Sequence, residues 1–336
     1  MFDRLTIRRL LLTWFHEAAR SFPWRKTRDP YRIWISEIML QQTRAAVVIP
    51  YYRRFLRRFP DVESLAQSNE TELLLLWSGL GYYARARNLR RAAMEIAAMG
   101  VFPDTFERLK RLPGVGAYTA AAIASIAFNQ PHAVLDANAI RVFSRLIGEK
   151  GDIRSAVTRA RLGVAADDLL DRSQPGLFNQ AVMELGATIC LPRKPRCELC
   201  VLVCFCYAAQ RNLQVRLPRK AQRKTMAAEA KSLYLCVHKG KVLLRCRNGE
   251  RQLNGFWELP EAGQLPGAEK IAEICSFHHS ITNHRYEITV IRVRSGGRKE
   301  NFHWVPIRSL EAIPLTTVAR KALKAAWGSA RNGSNK

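Results

Sequence analysis

The sequence has 336 residues, of which 48% are hydrophobic, so it is long enough for two domains with separate cores. It has 54 Lys and Arg against 28 Asp and Glu, a formal net charge of +26. An excess of this size attracts polyanions, and nucleic acid is the first partner to consider. No apolar run approaches the roughly 20 residues of a membrane helix. The N-terminus has no secretory pattern, so we expect an intracellular, cytoplasmic protein without membrane contact.

Residues 1–207 have the apolar spacing of helices, interrupted by short Gly and Pro breaks. Among them, the segment WISEIMLQQT at 34–43 is apolar nearly all round, yet it contains Glu37. Burial disfavours a charged carboxylate. Glu37 therefore either pairs with one of the many arginines or holds a proton that it can donate, and the local sequence favours neither.

The segment FERLKRLPGVGAYTAAAIASIAF at 106–128 predicts two helices joined by a tight turn. Gly114 and Gly116 let the backbone of the turn approach a partner closely. The amides at the start of the second helix can then bind a phosphate oxygen. An ordinary helical hairpin would not need both glycines, so we interpret the segment as a helix–hairpin–helix DNA-binding element.

Asp136 precedes the next helix-like stretch, in VLDANAIRVF, where an Asp commonly serves as the N-cap. The N-terminus of a helix favours the ionised form of such a carboxylate. An ionised carboxylate beside a protonated one is the arrangement that cleaves glycosidic bonds. Chemistry of this kind requires Glu37 and Asp136 to meet in the fold.

Five of the eight cysteines lie between Cys190 and Cys206. The spacing of Cys190, Cys197, Cys200 and Cys206 suits a [4Fe–4S] cluster, which we predict as the cofactor. A zinc site with four thiolates is the alternative. The long first gap and the lack of a second C-x-x-C pair argue against a zinc ribbon. On spacing alone, Cys204 could replace Cys206 as the fourth ligand.

The chain changes character after the cysteines. Residues 208–230 are predicted to be a basic linker, because RNLQVRLPRKAQRK at 211–224 has six basic residues and no acidic one. Beyond it, strands are predicted in 232–247, 255–260 and 286–296, and a helix in 315–327. We therefore predict a mainly α domain with two helical subdomains over 1–207, an α+β domain over 231–328 and a polar tail over 329–336.

Several of these motifs together resemble a known superfamily. The turn LPGVG, the cysteine spacing and LDANAIRV are similar to the endonuclease III superfamily of base-excision glycosylases. FPWR (22–25), WISEIMLQQT, GLGYYARARNL (79–89), VGAYTA (115–120) and GFWELP (255–260) narrow the resemblance to adenine DNA glycosylases of the MutY type, over roughly residues 8–325. This resemblance implies base-excision repair by a monomeric, nucleoid-associated enzyme. Its substrate would be double-stranded DNA in which adenine, opposite 8-oxoguanine or guanine, is flipped out before it is removed.

The resemblance also implies roles for single residues. Glu37 matches the general acid that protonates adenine, and Asp136 matches the carboxylate that stabilises the cationic sugar. Tyr118 and Asn138 match residues that line the reacting sugar. The positions that match residues around the flipped base are Trp24, Arg25, Leu40 and Gln180. The positions that match residues invading the duplex or holding the opposite base are Gln42, Thr43, Leu80 and Tyr82.

Two departures from related proteins narrow the expected activity. Lyase members of the superfamily have a Schiff-base Lys where this chain has Tyr118, and a phenol cannot form an imine. We therefore expect a monofunctional glycosylase that leaves an abasic site. The 231–328 domain resembles a MutT-like (Nudix-fold) domain without the R-E-x-x-E-E metal core. In the stretch directly after GFWELP, residues 261–280, the glutamates are Glu261, Glu269 and Glu273, so we expect no nucleotide pyrophosphatase activity.

The same domain is expected to read the base opposite adenine. The family's reading loop is Phe-Ser-His, and the matching stretch here is Ile281-Thr282-Asn283. Thr282 keeps a hydroxyl, whereas the Phe and the His are lost. We assign Thr282 to base reading and leave open how strongly the chain prefers 8-oxoguanine to guanine.

Two alternative functions fit part of the sequence. An endonuclease III-like pyrimidine glycosylase/lyase would share the helical domain, although Tyr118 and the second domain argue against it. A non-catalytic, iron–sulfur DNA-binding protein would keep the basic surface and the cysteines. Such a protein would need neither Glu37 nor Asp136.

Overall fold

The computed structural model describes residues 3–221, 227–249, 253–281, 284–294 and 301–328. Thr282 and the predicted polar tail lie outside these ranges, so their assignments stay predictions. The chain forms two compact units, which we describe separately. The first contains residues 1–67 and 87–222, and the second contains residues 68–86 and 223–336. A short segment of the predicted helical domain therefore packs with the C-terminal residues.

Helices make up the first unit and continue through the 68–86 segment. Their bounds are α1 Arg4–Ala18, α2 Pro30–Leu40, α3 Ala45–Arg58, α4 Val62–Ala66, α5 Glu70–Trp77, α6 Ala84–Met99, α7 Phe106–Arg111, α8 Ala117–Phe128, α9 Ala137–Ile147, α10 Ala156–Leu169, α11 Pro175–Thr188 and α12 Tyr207–Gln210. Within the described part of the chain, no helix is long and apolar enough to cross a membrane.

One core of the first unit is formed by helices that are far apart in the sequence. Apolar side chains of α1, α9, α10 and α11 pack together, among them Leu11, Phe143, Leu162 and Phe178. Burying such side chains is the main stabilising contribution to a fold of this kind. The packing fixes α9 and α11 side by side, and these helices carry part of the candidate site.

A buried amide fixes the loop between α8 and α9. The side chain of Asn179, only 2% exposed, donates to Ser125 Oγ at 2.9 Å and to the carbonyl of His132 at 2.8 Å. Its carbonyl oxygen accepts from the backbone amide of Val134 at 3.1 Å. Buried polar groups are costly unless they are paired in this way. Asn179 therefore sets the course of the chain just before Asp136.

The second unit contains a mixed sheet. The described strands are β1 Ala227–His238, β2 Lys241–Cys246, β3 Trp257–Glu258, β4 Glu269–Ile281, β5 His284–Arg294 and β6 Phe302–Pro306, followed by α13 Thr317–Gly328. Their order is β3-β2-β1-β5-β4, and β6 pairs with β2. β1 and β5 run parallel, whereas the other pairs are antiparallel. Apolar residues of α13 pack on one face of this sheet.

The predicted fold class, a helical part followed by an α+β domain, is confirmed. The strands predicted in 232–247, 255–260 and 286–296 and the helix in 315–327 are all present. β1 begins at Ala227, so it extends back into the segment predicted to be a linker. The strands β4 and β6 were not predicted.

Two helical glycines of the first unit should respond to alanine with opposite signs. A Cβ at Gly176 would lie 2.5 Å from the carbonyl oxygen of Ser125 and 2.7 Å from Ile126 Cα, so Gly176→Ala should destabilise the fold by about 1–3 kcal/mol. A Cβ at Gly163 would meet only a Leu135 methyl at 3.8 Å. Gly163→Ala should therefore stabilise by roughly 0.5–1 kcal/mol through helix propensity. Urea unfolding of both variants tests this pair, and equal effects would contradict the described packing of α8 on α11.

Candidate active site

Glu37 lies inside α2, in a position that the start of the helix determines. The Asp29 carboxylate accepts from the amides of Tyr31 and Arg32, and Pro30 occupies the first helical position. This start places Glu37 on the buried face two turns later, where it is only 5% exposed. Tyr118 Oη donates to Glu37 Oε2 at 2.7 Å. The apolar segment at 34–43 and the first turn of α8 therefore meet at these two side chains.

The protonation of this pair follows from burial. Burial raises the pKa of Glu37 to about 7, with the Asp136 charge also raising it, while the Tyr118 hydrogen bond and the Arg25 charge lower it. Burial, and after it the charges of Glu37 and Asp136, raise the pKa of Tyr118 well above its ordinary range. The phenol therefore keeps its proton and donates. Glu37 is poised to exchange a proton near neutral pH.

The sequence left open an ion pair between Glu37 and an arginine. Arg25 is the cation whose charge acts on Glu37, but its guanidinium donates to Glu184 Oε2 at 2.7 Å. Arg20 donates to both oxygens of Glu184, at 2.6 and 2.9 Å. Glu184, 1% exposed, therefore engages both arginines. Sequence reasoning missed Glu184, whose only local signal is a lone carboxylate in the apolar stretch of α11.

Asp136 is the N-cap of α9, as its position before the helix predicts. Its Oδ1 accepts from the amide of Ala139 at 2.6 Å, and its Oδ2 accepts from Asn138 Nδ2 at 2.8 Å. We expected the helix N-terminus to favour ionisation, but burial outweighs these bonds and raises the pKa of Asp136. Asp136 still has the two hydrogen bonds and the Arg141 charge in favour of its ionised form. We therefore assign the negative charge of the pair to Asp136.

A buried arginine that the sequence reasoning missed orients Asn138. Arg141 Nη2 donates to Asn138 Oδ1 at 2.9 Å and to the carbonyl of Gly186 at 2.5 Å. Its Nε donates to the carbonyl of Cys190 at 2.6 Å. Because Asn138 Oδ1 accepts from Arg141, its amide nitrogen faces Asp136. The only signal in the sequence is an arginine on the apolar face of α9.

The residues expected around the flipped base lie before α2, at the end of α2 and within α11. Trp24 is buried, with its ring stacked on Phe22 at 5.1 Å and edge-on to Tyr52 at 5.4 Å. Leu40 is half-buried at the end of α2. Gln180 is half-buried on α11. These are positions in the fold, and their contact with a base stays a prediction.

The hairpin between α7 and α8 contains two glycines, and the structure gives a different reason for glycine at each position. Gly114 has φ +77°, and a Cβ there would lie 2.8 Å from Asn88 Cβ, so the fold itself requires glycine. Gly116 is the exposed N-cap of α8, and a Cβ there would meet nothing within 4 Å. No side chain caps this helix start. The opening beside Gly116 suits a close partner such as a phosphate.

Two further candidates for duplex contact follow α2 in the first unit. Gln42 is exposed, with φ 59°, and Thr43 is half-buried, with its amide donating to the carbonyl of Leu40 at 3.2 Å. This turn therefore begins one residue beyond the helix that carries Glu37. The backbone therefore connects Gln42 and Thr43 directly to the helix of the candidate acid.

Leu80 and Tyr82 belong to the second unit. Tyr82 is 49% exposed, whereas Leu80 is only 6% exposed. Of these two, Tyr82 has the accessible ring that entry into a duplex requires. The glutamates that follow GFWELP have partners within the sheet unit. Glu261 accepts from Lys231 at 2.9 Å, and Glu269 pairs with Arg294 at 3.2 Å.

Four cysteine thiols in the loop after α11 interact through their charges. Burial is the main cause that raises the pKa of Cys200 to about 12, and the charges on Cys190, Cys206 and Cys197 raise it further. Backbone amides donate toward Cys200 and Cys206. Arg145 Nη1 donates to Cys190 Sγ at 3.1 Å. Donors of this kind favour the thiolate form, which binds metal.

The fifth cysteine of the loop differs in exposure. Cys204 is exposed, whereas Cys206 is half-buried among the interacting thiols. Within the described ranges, no three or more His, Cys, Asp or Glu side chains form a group that could hold a metal ion. The structure thus brings the four predicted thiols close enough for their charges to interact. The cofactor itself stays a prediction.

Comparisons with known proteins agree with this fold. Residues 35–165 match the family model of the HhH-GPD superfamily base excision DNA repair proteins, and residues 232–325 match a NUDIX domain model. The solved structure of a thermostable thymine-DNA glycosylase is 32% identical, with a TM-score of 0.57 over 62% of this chain and 97% of that chain. The class is therefore that of helix–hairpin–helix glycosylases with an added NUDIX domain.

Two relatives of the chain narrow the class to a family. The adenine DNA glycosylase of Buchnera aphidicola subsp. Schizaphis graminum is 37% identical over 337 residues, covering 94% of this chain and 97% of that protein. The adenine DNA glycosylase of Rattus norvegicus is 42% identical over 249 residues, covering 70% of this chain. The chain spans about half of the rat protein's length, 48%. It belongs to the adenine DNA glycosylase family.

The buried carboxyl of Glu37 should make the free energy of unfolding depend on pH. The folded state raises its pKa from 4.5 to about 7, so folding favours the protonated form. Stability from this group is complete below the unfolded pKa and is lost as pH rises to about 7, a change of about 3 kcal/mol. Glu37→Gln should therefore gain stability relative to the wild type between pH 5 and pH 8. Urea unfolding at both pH values measures the difference.

The matched control for this measurement is Glu17→Gln, which removes an exposed carboxylate from α1. Its stability relative to the wild type should change little between the two pH values. If Glu37→Gln behaved like Glu17→Gln, the buried protonated carboxyl would be refuted.

Proposed function

We propose that the chain is a monofunctional DNA glycosylase that hydrolyses the N-glycosidic bond of adenine opposite 8-oxoguanine or guanine and leaves an abasic site. The observation that carries the proposal is the buried Tyr118–Glu37 hydrogen bond within reach of the Asp136 charge. Membership of the adenine DNA glycosylase family and the NUDIX match at 232–325 support the choice of substrate. The net charge of +26 supports a DNA partner. We expect a monomer that acts on the cytoplasmic nucleoid.

The two carboxyl groups divide the reaction between them. An extruded adenine would take the Glu37 proton on a ring nitrogen, and the bond from its N9 to the sugar C1′ would then break, with the electron pair going to the base. Positive charge develops on the sugar, where the Asp136 carboxylate stabilises it. Water then adds to C1′, and its proton returns to Glu37. Adenine leaves neutral, and the enzyme recovers its starting protonation.

Tyr118 has a positioning role in this scheme. Its protonated phenol orients the Glu37 carboxyl through the 2.7 Å hydrogen bond. It cannot supply the amine that a lyase needs for an imine with C1′. Asn138, oriented by Arg141, holds the Asp136 carboxylate toward the sugar in the same way. These contacts support the monofunctional assignment.

The opposite base and the base pocket are proposed from the resemblance. Trp24, Arg25, Leu40 and Gln180 would surround the extruded adenine. Gln42, Thr43, Leu80 and Tyr82 would enter or brace the duplex, and Gly114 and Gly116 would bring the hairpin amides to a phosphate. Thr282 would contact the base opposite adenine.

A [4Fe–4S] cluster is the cofactor that we propose for the cysteine loop. Cys190, Cys197, Cys200 and Cys206 would ligate it, and their mutual charge interactions and amide donors fit that donor set. When bound, the cluster would hold the basic loop at 193–196 in a fixed shape.

Adenine excision should leave an abasic site, which is detected as a strand break only after treatment with alkali. We expect a duplex with one adenine opposite 8-oxoguanine to break after alkali, and to stay intact without it, under single-turnover conditions. Glu37→Gln should lower the rate by at least about a hundredfold, the usual loss for a general acid, while duplex binding is retained. The wild-type rate should fall as pH rises through about 7, because the protonated carboxyl is required.

The same assay separates the alternatives. Strand breaks without alkali would mean that a lysine forms an imine, as in a lyase. Activity retained in Glu37→Gln would overturn the assignment of the acid. If the wild type bound the duplex but formed no product, the hypothesis of a non-catalytic DNA-binding protein would be favoured.

The cluster is tested by metal content. Purified protein should be brown and carry about four irons per chain. Cys206→Ser should lower the iron content, whereas Cys204→Ser, the matched control two residues away, should retain it. Colourless protein that contains zinc would replace the iron–sulfur assignment. Loss of iron in Cys204→Ser with retention in Cys206→Ser would exchange the two ligands.

A further inference from the structure

The loop that carries Tyr82 is attached to the C-terminal domain. Residues 68–86 belong to the compact unit formed by residues 223–336, although they lie within the sequence of the helical domain. Two side chains of the C-terminal domain contribute to the attachment. Arg320, on α13, donates to the side chain and the carbonyl of Ser78. Phe256, just before β3, packs its ring against Tyr83, with ring centroids 4.0 Å apart.

These two contacts bracket the loop at both ends. Ser78 is the residue that ends α5, and Tyr83 directly precedes α6. Ser78, Tyr83 and Phe256 are all buried. The residues between the contacts include Tyr82, which is 49% exposed. The C-terminal domain therefore fixes the two ends of a loop whose middle offers an aromatic ring to solvent.

The loop itself is tightly folded. Gly79, Gly81 and Tyr82 all have positive φ, at 107°, 72° and 49°. Arg85 donates to the carbonyls of Leu80 and Gly81 at 3.3 and 3.1 Å. Trp77 Nε1 also donates to the carbonyl of Gly81, at 3.1 Å. A non-glycine residue such as Tyr82 adopts a left-handed conformation only where its surroundings impose it. Fixed ends on either side supply such a constraint.

Arg320 and Phe256 are held to each other by the domain's backbone. The amide of Trp257 donates to the carbonyl of Pro314 at 2.8 Å, and the amide of Thr316 donates to the carbonyl of Trp257 at 2.9 Å. These bonds connect the start of β3 to the residues that begin α13. Movement of this joined segment relative to the loop would therefore change both contacts at once.

The Arg320 contact is also electrostatically favourable. The last turn of α5 contains no basic residue, and its C-terminal carbonyls carry partial negative charge. Arg320 brings a cation to this helix end from 242 residues further along the chain. A hydrogen bond from a charged donor is stronger than one from a neutral group. The contact thus has a physical reason beyond proximity.

We propose that Arg320 and Phe256 are positioning residues for base extrusion: they hold the Gly79–Tyr82 turn so that the Tyr82 ring can enter the duplex. The C-terminal domain then has a second task besides reading the opposite base. This inference rests on the proposed excision of adenine from a duplex. It differs from that proposal because neither residue touches the reacting atoms.

The test uses the full-length protein and two readouts. One is the single-turnover excision rate at saturating enzyme, and the other is the fluorescence of 2-aminopurine placed beside the adenine mispair, which rises when the stack is opened. Arg320→Met should lower the rate about tenfold, the usual loss for a charged hydrogen bond, and lower the fluorescence rise. Arg320→Lys, which keeps a donor, should recover part of both. The control is Lys324→Met, an exposed cation one turn further along α13, and it should match the wild type.

A double-mutant cycle identifies the route of the effect. Tyr82→Ala should lower both readouts, and adding Arg320→Met to it should cause no further loss, since both act through one ring. Phe256→Leu offers an independent variant of the second contact, with the same expected losses. The affinity for a fully paired duplex should be unchanged in Arg320→Met and in Phe256→Leu.

Three outcomes would overturn the inference. They are a rate and fluorescence in Arg320→Met equal to those of Lys324→Met, additive losses in the double mutant, and a uniform loss of affinity for paired duplex. If the wild type excises nothing, the proposed function fails instead. The fluorescence of the bound duplex would then still decide whether Arg320 acts through Tyr82.

Discussion

Burial of the Glu37 carboxyl is the constraint on which the candidate site depends. An ionised carboxylate in such a place is costly, whereas a protonated one with a hydrogen-bond partner is tolerated. Tyr118 supplies that partner from α8, and the Asp136 charge at the start of α9 opposes ionisation. Three helices must therefore converge with their termini correctly placed. The Asp29 cap, the glycine turn and the Asn179 hydrogen bonds each place one of them.

The arginines near the site must not form an ion pair with Glu37. Arg25 and Arg141 both lie near the carboxyl pair, and a direct ion pair with Glu37 would favour its charged form. Arg25 is bound by Glu184, and Arg141 is bound by Asn138 and three backbone carbonyls. The neighbouring arginines are thus used to orient side chains. Their own partners limit how far their charge lowers the pKa of Glu37.

The sequence predicted what local patterns determine and missed what distant contacts determine. The helical hairpin, the Asp136 cap and the strands in 232–247 follow from residue types at short spacing. β4 was missed because two register shifts, between Lys270 and Ala272 and between Glu273 and Cys275, disrupt its alternation. The raised pKa of Asp136 and the role of Glu184 depend on burial and on partners far away in the chain. Recognition of a family connected Glu37 to Asp136, which spacing alone could not do.

The attachment of α5 to the C-terminal domain has a consequence for synthesis. Arg320 follows Ser78 by 242 residues, so at about 5–20 residues per second a ribosome needs roughly 12–50 s to supply it. Until the ribosome reaches Phe256, the loop that ends α5 has neither of its two partners to pack against, and Arg320 is supplied later still. Tyr83 and Ser78, both buried in the finished protein, would be accessible to chaperones and proteases on the nascent chain. A chain terminated early would stay in that state permanently, which makes quality control sensitive to the completeness of this protein.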